Sequence, residues 1–281
     1  MKRPLLTFFT LTFAITWTCF IAAGAITRAN QQGLAGLALL SSVLVLLGVF
    51  TPGVVALLLT MRYQGASAVR VLLGRILQWQ VRWYWYLFAI AFMPVIKLTT
   101  ALLYRVTVGQ WPRFGPEPWF LMAAALMVSA WVQSGEEVGW RGYALPRLAS
   151  QFGLAPASVI LGAIWATWHL PLFFLPGADT YMQSFPLYLA QVIALSAAFA
   201  WLYWRTSGSL LLVMLLHAAV NNTKDIVPSG QADATNAFAF SSSLVGWLTV
   251  GLLWLAASFF LLQMGRRKAL AREQRLAPAT T

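Results

Sequence analysis

The sequence is poor in charge, in acidic residues and in cysteine. Of its 281 residues only 9% are charged, seven are Asp or Glu, and one is a cysteine, Cys19. A soluble domain and a disordered chain both need more charge, and a disulfide-linked secreted fold needs several cysteines. Hydrophobic residues, by contrast, make up 60% of the chain, and the mean hydropathy is +0.72. We therefore expect an all-α polytopic membrane protein.

Long apolar runs predict about eight transmembrane helices. A helix needs about 20 mostly apolar residues to cross the hydrocarbon core of a bilayer. The runs that meet or approach this length are residues 5–27, 35–61, 84–104, 118–147, 155–175, 183–204, 208–222 and 242–264. No internal repeat or linker divides the sequence, so we predict a single integral membrane domain over residues 1–281.

The net charge of +12 fits orientation in a membrane better than binding to nucleic acid, because the basic residues are scattered singly between the apolar runs. With the N-terminus inside, thirteen of the nineteen basic residues face the cytoplasm, and both termini then lie there. The segment from Gly65 to Arg82 mixes arginines with apolar residues. Two interpretations of it stay open, a short helix on the anionic inner surface or a basic loop.

A few ionisable residues fall inside the predicted spans, where a central charge costs roughly 2.5 to 3.5 kcal/mol. They are Lys97, Glu136, Glu137, Arg141, His169 and His217. Residues four apart share a helix face, so Glu137 and Arg141 are expected to form a structural ion pair. Glu136 points elsewhere and has no local counterion, which suits a general base. Lys97 stands alone and is expected to extend toward an interface.

Glu136, His169 and His217 are predicted to lie at one depth in the membrane. Counted from the predicted cytoplasmic ends of their helices, they are 11, 13 and 12 residues in. At a rise of about 1.5 Å per residue these separations are roughly 16 to 20 Å, provided that the fourth helix continues unbroken to Arg147. Asn221 follows His217 by four residues and shares its face. The pattern predicts one intramembrane polar site.

The same polar residues fit other classes of protein. They would serve as packing groups in a noncatalytic membrane adaptor, or as the relay of a proton-coupled transporter. One Glu and two His also suit zinc, because three such ligands leave a position open for water. The sequence contains neither the HExxH helix of many zinc peptidases nor the GxSxG turn of serine hydrolases.

Three segments, taken together, resemble the motifs of a known family. Residues 136–147 are EEVGWRGYALPR, residues 165–171 are WATWHLP, and residues 217–221 are HAAVN. Their order of EExxxR, an aromatic residue four before His, and HxxxN resembles the CPBP family. That family includes CAAX prenyl proteases of the Ras-converting type and bacterial processing and self-immunity proteins. The resemblance covers a core of about residues 116–223. Trp165 departs from the pattern, since Phe is more usual there, and one large aromatic in place of another is expected to matter little.

The resemblance implies an intramembrane endopeptidase of the glutamate type. Glu136, helped by His169, would activate a water, and His217 with Asn221 would donate hydrogen bonds to the developing oxyanion. It implies no metal or other cofactor, and a peptide or protein substrate, lipidated or not, at a site surrounded by membrane lipid. It also implies a bacterial inner membrane as the location. Two alternatives stay open, a noncatalytic adaptor or self-immunity factor and a zinc-dependent version of the same peptidase.

Overall fold

The computed structural model describes residues 3–228 and 236–276, with the backbone alone after residue 265. Every regular element within these residues is helical, which confirms the predicted all-α class. The α-helices are α1 Arg3–Ala29, α2 Ala35–Gly74, α3 Trp83–Val108, α4 Trp119–Val132, α5 Ser134–Glu137, α6 Leu145–Phe152, α7 Leu154–Trp168, α8 Phe185–Arg205, α9 Leu210–Asn222 and α10 Leu244–Leu276. The two termini, predicted to be cytoplasmic, lie outside the described residues.

Six helical segments among the described residues are long and apolar enough to cross a membrane, so the predicted number of eight is not confirmed. They are Arg3–Ala29, Ala35–Leu77, Trp83–Val108, Leu154–Phe174, Phe185–Arg205 and Leu244–Gly265. Of the other two predicted spans, α9 has only 13 residues and the segment 118–147 is divided among several elements. Six helices of this length and composition are typical of an integral membrane protein.

The predicted fourth span does not continue as one α-helix. Gln133 separates α4 from α5, and the seven residues Val138–Ala144 form a π-helix before α6 begins at Leu145. The condition on which the common depth depended, an unbroken helix to Arg147, is therefore not met, and the constant rise of about 1.5 Å does not hold between Glu136 and Arg147. Regular i→i+5 hydrogen bonding is rare and occurs frequently at functional sites.

Helix α2 packs against α5 and the π-helix with backbone almost touching backbone. A Cβ on Gly139 would lie 2.6 Å from Pro52, and one on Gly53 would lie 2.8 Å from the carbonyl oxygen of Gly135. Any larger residue at either position would push the two segments apart. The close contact of these backbones fixes the positions of Glu136 and Glu137 relative to α2.

Helix α9 occupies the interior of the bundle. It contacts α3, α4, α5 and α8, and every residue from Leu212 to Ala219 is buried. The helix begins after Ser209, whose hydroxyl accepts a hydrogen bond from the backbone N–H of Leu212 at 3.4 Å, as an N-cap residue does. The burial of α9 places His217 among the other helices rather than against lipid.

The segment between α2 and α3 is partly helical. Helix α2 continues past a kink at Gly65, where φ is 81° and ψ is 178°, and a turn of 3₁₀-helix, Arg75–Leu77, follows it. The segment is therefore helical up to Leu77 as a continuation of α2, and the interpretation as a simple basic loop is wrong. Its placement on the inner membrane surface stays a prediction.

Candidate active site

A buried ion pair lies at the centre of the site. Arg141 Nη1 donates hydrogen bonds to Glu137 Oε1 at 2.8 Å and to Oε2 at 3.1 Å, and both side chains are fully buried. His217 of α9 contacts the same carboxylate, with 2.7 Å between Nδ1 and Oε1. An ionised carboxylate only accepts hydrogen bonds, so we assign a proton to His217 Nδ1. The sequence did not predict this third member, because residue spacing says nothing about contacts between helices.

The guanidinium of Arg141 is held between two aromatic rings. Its Cζ lies 4.1 Å from the ring centroid of Trp165 and 4.3 Å from that of Phe199. Its Nε and Nη2 are buried without a hydrogen-bond partner among the residues described. The negative faces of the rings stabilise a cation that is cut off from water. Arg141 thereby ties the π-helix to both α7 and α8.

Glu136 faces a different partner from that of its neighbour Glu137. It is 5% exposed, and its Oε2 accepts a hydrogen bond from Trp165 Nε1 at 2.7 Å. Phe, the more usual residue at this position, has no N–H to donate, so the Trp165–Glu136 hydrogen bond depends on the replacement. Whether the replacement matters for function stays a prediction. The sequence placed Trp165 on the face of His169 but gave no sign of where the indole nitrogen points.

His169 lies at the end of α7, shortly before Pro171, a residue that favours the end of a helix. Its Nδ1 is 2.9 Å from the carbonyl oxygen of Trp165. A carbonyl only accepts, so we assign the proton to Nδ1, which leaves the Nε2 lone pair free to accept. The ring also packs against Tyr188 of α8, 5.5 Å away between centroids. No motif in the sequence marks Tyr188.

One indole joins three of the predicted site residues. The ring centroid of Trp165 lies 5.8 Å from that of His169 and 5.2 Å from that of His217, and its Nε1 reaches Glu136. Residues from three separate segments of the chain thus meet around a single side chain. An acceptor carboxylate and two imidazoles in such a cluster are suited to moving protons.

The structure does not join Asn221 to this cluster. Its side chain is exposed, and no hydrogen bond to it is present among the described residues. Asn222 instead has two partners, Ser129 Oγ at 2.6 Å and the Ala218 carbonyl at 2.8 Å. Asn221 lies one helical turn beyond His217 on α9. A bound substrate that contacts both side chains would be needed for them to act on the same group.

Lys97 lies outside the cluster, near the chain that follows α9. It is 2% exposed, and its Nζ donates to the carbonyl oxygen of Val227 at 3.0 Å. The expectation that Lys97 extends toward an interface is wrong, because this carbonyl and the nearby charge of Asp225 provide partners inside the protein.

The described residues contain no ready-made set of metal ligands. Within residues 3–228 and 236–276, no three His, Cys, Asp or Glu side chains are placed so that they could hold a metal ion. Glu136 Oε2 and the Nδ1 atoms of both histidines have hydrogen-bond partners in the protein. That the site needs no metal stays a prediction.

The fold and the site define a class: an α-helical membrane protein with an acid–imidazole cluster in its interior. Residues 116–223 match the family model described as type II CAAX prenyl endopeptidase, Rce1-like. A CAAX prenyl protease 2 from Methanococcus maripaludis is 28% identical to this chain over 98 residues, which cover 33% of this chain and 36% of that protein. The resemblance to CPBP-family CAAX proteases is therefore confirmed for residues 116–223, which contain the whole cluster.

Proposed function

We propose that the protein is an intramembrane endopeptidase in which Glu136 and His169 activate a water for attack on a peptide carbonyl. The observation that carries the proposal is the meeting of Glu136, His169 and His217 around one indole. The match of residues 116–223 to a family of prenyl endopeptidases supports it. The hydrolysis does not require a metal in this proposal.

Glu136 and His169 act on the water in different ways. Glu136 Oε1 takes one proton as the water oxygen forms its bond to the carbonyl carbon, while His169 Nε2 accepts the second hydrogen bond and fixes the direction of attack. The carbonyl electron pair moves onto oxygen. When the C–N bond breaks, the proton on Glu136 passes to the leaving amine, so the site returns to its initial state.

His217 can donate a hydrogen bond to the oxyanion only in its doubly protonated form. Its Nδ1 proton is engaged by Glu137, and a neutral imidazole with this tautomer has a lone pair, not a proton, on Nε2. In the doubly protonated form its Nε2–H donates to the developing negative charge. Asn221, one turn further along α9, would supply the second donor from its exposed amide.

This role of His217 predicts a large loss of turnover when its side chain is removed. His217→Ala takes away the N–H that would face the oxyanion and is expected to lower kcat by about 10²- to 10³-fold. Initial rates of the two purified proteins measure this. Undiminished turnover by the variant would contradict the assignment.

Metal independence predicts that removal of metal leaves the enzyme active. Dialysis of the purified protein against a chelator is expected to leave the cleavage rate unchanged, because the proposed base and donors are all side chains. Metal content measured on the same sample shows that the treatment worked. Loss of activity that returns only when Zn²⁺ is added would establish the zinc-dependent alternative instead.

The proposed substrate is a peptide or protein segment that reaches the site from the membrane or its surface. The relative and the family are named for CAAX prenyl substrates, and we propose testing that chemistry first. Paired peptides that end in the same CAAX sequence, with and without a prenyl group on the cysteine, would show whether lipid attachment is required. We retain as the proposed location a bacterial inner membrane, which the resemblance implies, with both termini cytoplasmic, which the charge pattern indicates.

A further inference from the structure

The contact between Trp165 and Glu136 is specific to this chain's departure from the family pattern. The position four residues before His169 more usually holds Phe, which offers a ring but no donor. Here the indole Nε1 lies 2.7 Å from Glu136 Oε2, a distance typical of a strong, charge-assisted hydrogen bond. The carboxylate that the proposed mechanism uses as its base therefore has a partner that Phe could not provide.

The surroundings of Trp165 hold the indole in one orientation. Its side chain is 3% exposed, with the Arg141 guanidinium on its face and the rings of His169, His217 and Phe199 against it at 5.2 to 5.8 Å. A planar side chain packed on several sides cannot rotate without displacing its neighbours. The direction of the N–H bond toward Glu136 is thus fixed by the packing of three helices.

We propose that Trp165 is a positioning residue for the general base. Its N–H holds Oε2 of Glu136, so that Oε1 is left as the acceptor that faces the water. This inference rests on the proposed peptidase function for its catalytic meaning. The hydrogen bond itself exists whether or not the protein cleaves peptides.

Other groups also act electrostatically on Glu136 and must be held constant in a test. They include Arg141 from the π-helix, His169 from the end of α7 and Tyr188 from α8. Glu137, the next residue along the chain, and His217 of α9, which contacts Glu137 and Trp165, belong to the same cluster. The packed helices α2, between residues 35 and 61, and α4 contribute no ionisable side chain. A single change of Trp165 to Phe leaves all of these groups in place.

The test compares Trp165→Phe with Trp168→Phe, a matched control on the same helix. Trp168 is fully buried, and its Nε1 has no hydrogen-bond partner among the described residues, so its loss removes an N–H that makes no bond. With Trp165→Phe, kcat is expected to fall about tenfold while KM stays unchanged, because the base loses its hydrogen bond but the substrate still binds. Both constants are expected to stay unchanged in Trp168→Phe.

A merely structural role for Trp165 gives a different result. In that case Trp165→Phe raises KM and lowers kcat together, as a packing defect would, or changes neither constant. Either of these results overturns the proposal. Trp140→Phe, whose indole nitrogen is also buried and unbonded among the described residues, provides a second control if Trp168→Phe folds poorly.

A measurement that does not need catalysis separates this proposal from the proposed function. In protein labelled with ¹⁵N-tryptophan, the indole resonance that is missing from Trp165→Phe belongs to Trp165. We expect this resonance to shift in Glu136→Gln, which replaces the charged acceptor of the indole N–H by a neutral one, and to keep its position in Glu117→Gln. A resonance indifferent to Glu136→Gln overturns the inference, whereas failure of the peptidase proposal appears as absence of cleavage by the unmodified protein.

Discussion

Glu136→Gln is expected to lower the rate of peptide cleavage by about 10²- to 10⁴-fold, the usual contribution of a general base. The amide has nearly the same volume as the carboxyl group and can still accept the hydrogen bond from Trp165 Nε1. It cannot take a proton from water. The variant should therefore fold normally and bind substrate while failing to turn it over, as measured by initial rates of purified protein in liposomes.

The matched control for this variant is Glu117→Gln. Glu117 carries a carboxylate of the same kind but is exposed and lies outside the cluster, so the change should leave the rate unaltered. Undiminished cleavage by Glu136→Gln would show that the base lies elsewhere. If cells that need the protein tolerate Ala at Glu136, His169, His217 and Asn221 together, the noncatalytic adaptor becomes the better account.

Arg141→Met is expected to destabilise the fold by about 3 to 5 kcal/mol, the range found when one member of a buried ion pair is removed. Glu137 has no exposed surface, and after the change its charge would retain only His217 as a partner. The methionine would fill much of the space between the rings of Trp165 and Phe199 but carries no charge. Unfolding in detergent, followed by tryptophan fluorescence, measures the difference.

Two further variants separate loss of charge balance from loss of packing. The double change Glu137→Gln with Arg141→Met removes both charges and should recover a large part of the stability, since neutral replacement of a buried pair is often tolerated. Lys224→Met breaks the ion pair between Lys224 and Asp179, whose side chains are 48% and 74% exposed respectively. This exposed pair should contribute less than about 1 kcal/mol to the free energy of unfolding. A stable Arg141→Met that is inactive would instead make Arg141 part of the reaction.

The composition of the cluster could be predicted because charge is so rare in this sequence. Ionisable side chains within apolar runs are costly, so the few that occur stand out, and the helical spacing of four paired Glu137 with Arg141 correctly. The same rule separated Glu136 from that pair. Apolar content was likewise enough to predict an all-α membrane protein.

Contacts between helices could not be predicted in this way. Hydrophobic periodicity does not distinguish the π-helix Val138–Ala144 from an α-helix, because the segment is buried on all sides. The hydrogen bond from Trp165 depends on how α7 is rotated relative to α5, and the bond from His217 to Glu137 depends on how deep α9 lies. Neither quantity is encoded in the spacing along one helix. Lys97 was misjudged for the same reason, since its partner Val227 is distant in sequence.

The central claim is that residues from three segments form one site that binds a peptide for hydrolysis. Photo-crosslinking tests it directly: a peptide substrate with a photoreactive group beside the scissile bond is trapped by purified Glu136→Gln in liposomes, and the attachment sites are mapped by mass spectrometry. We predict crosslinks within residues 134–143, 165–169 and 217–221, all competed by unlabelled substrate. Crosslinks confined to one segment, or found only outside the three, would contradict a shared peptide site.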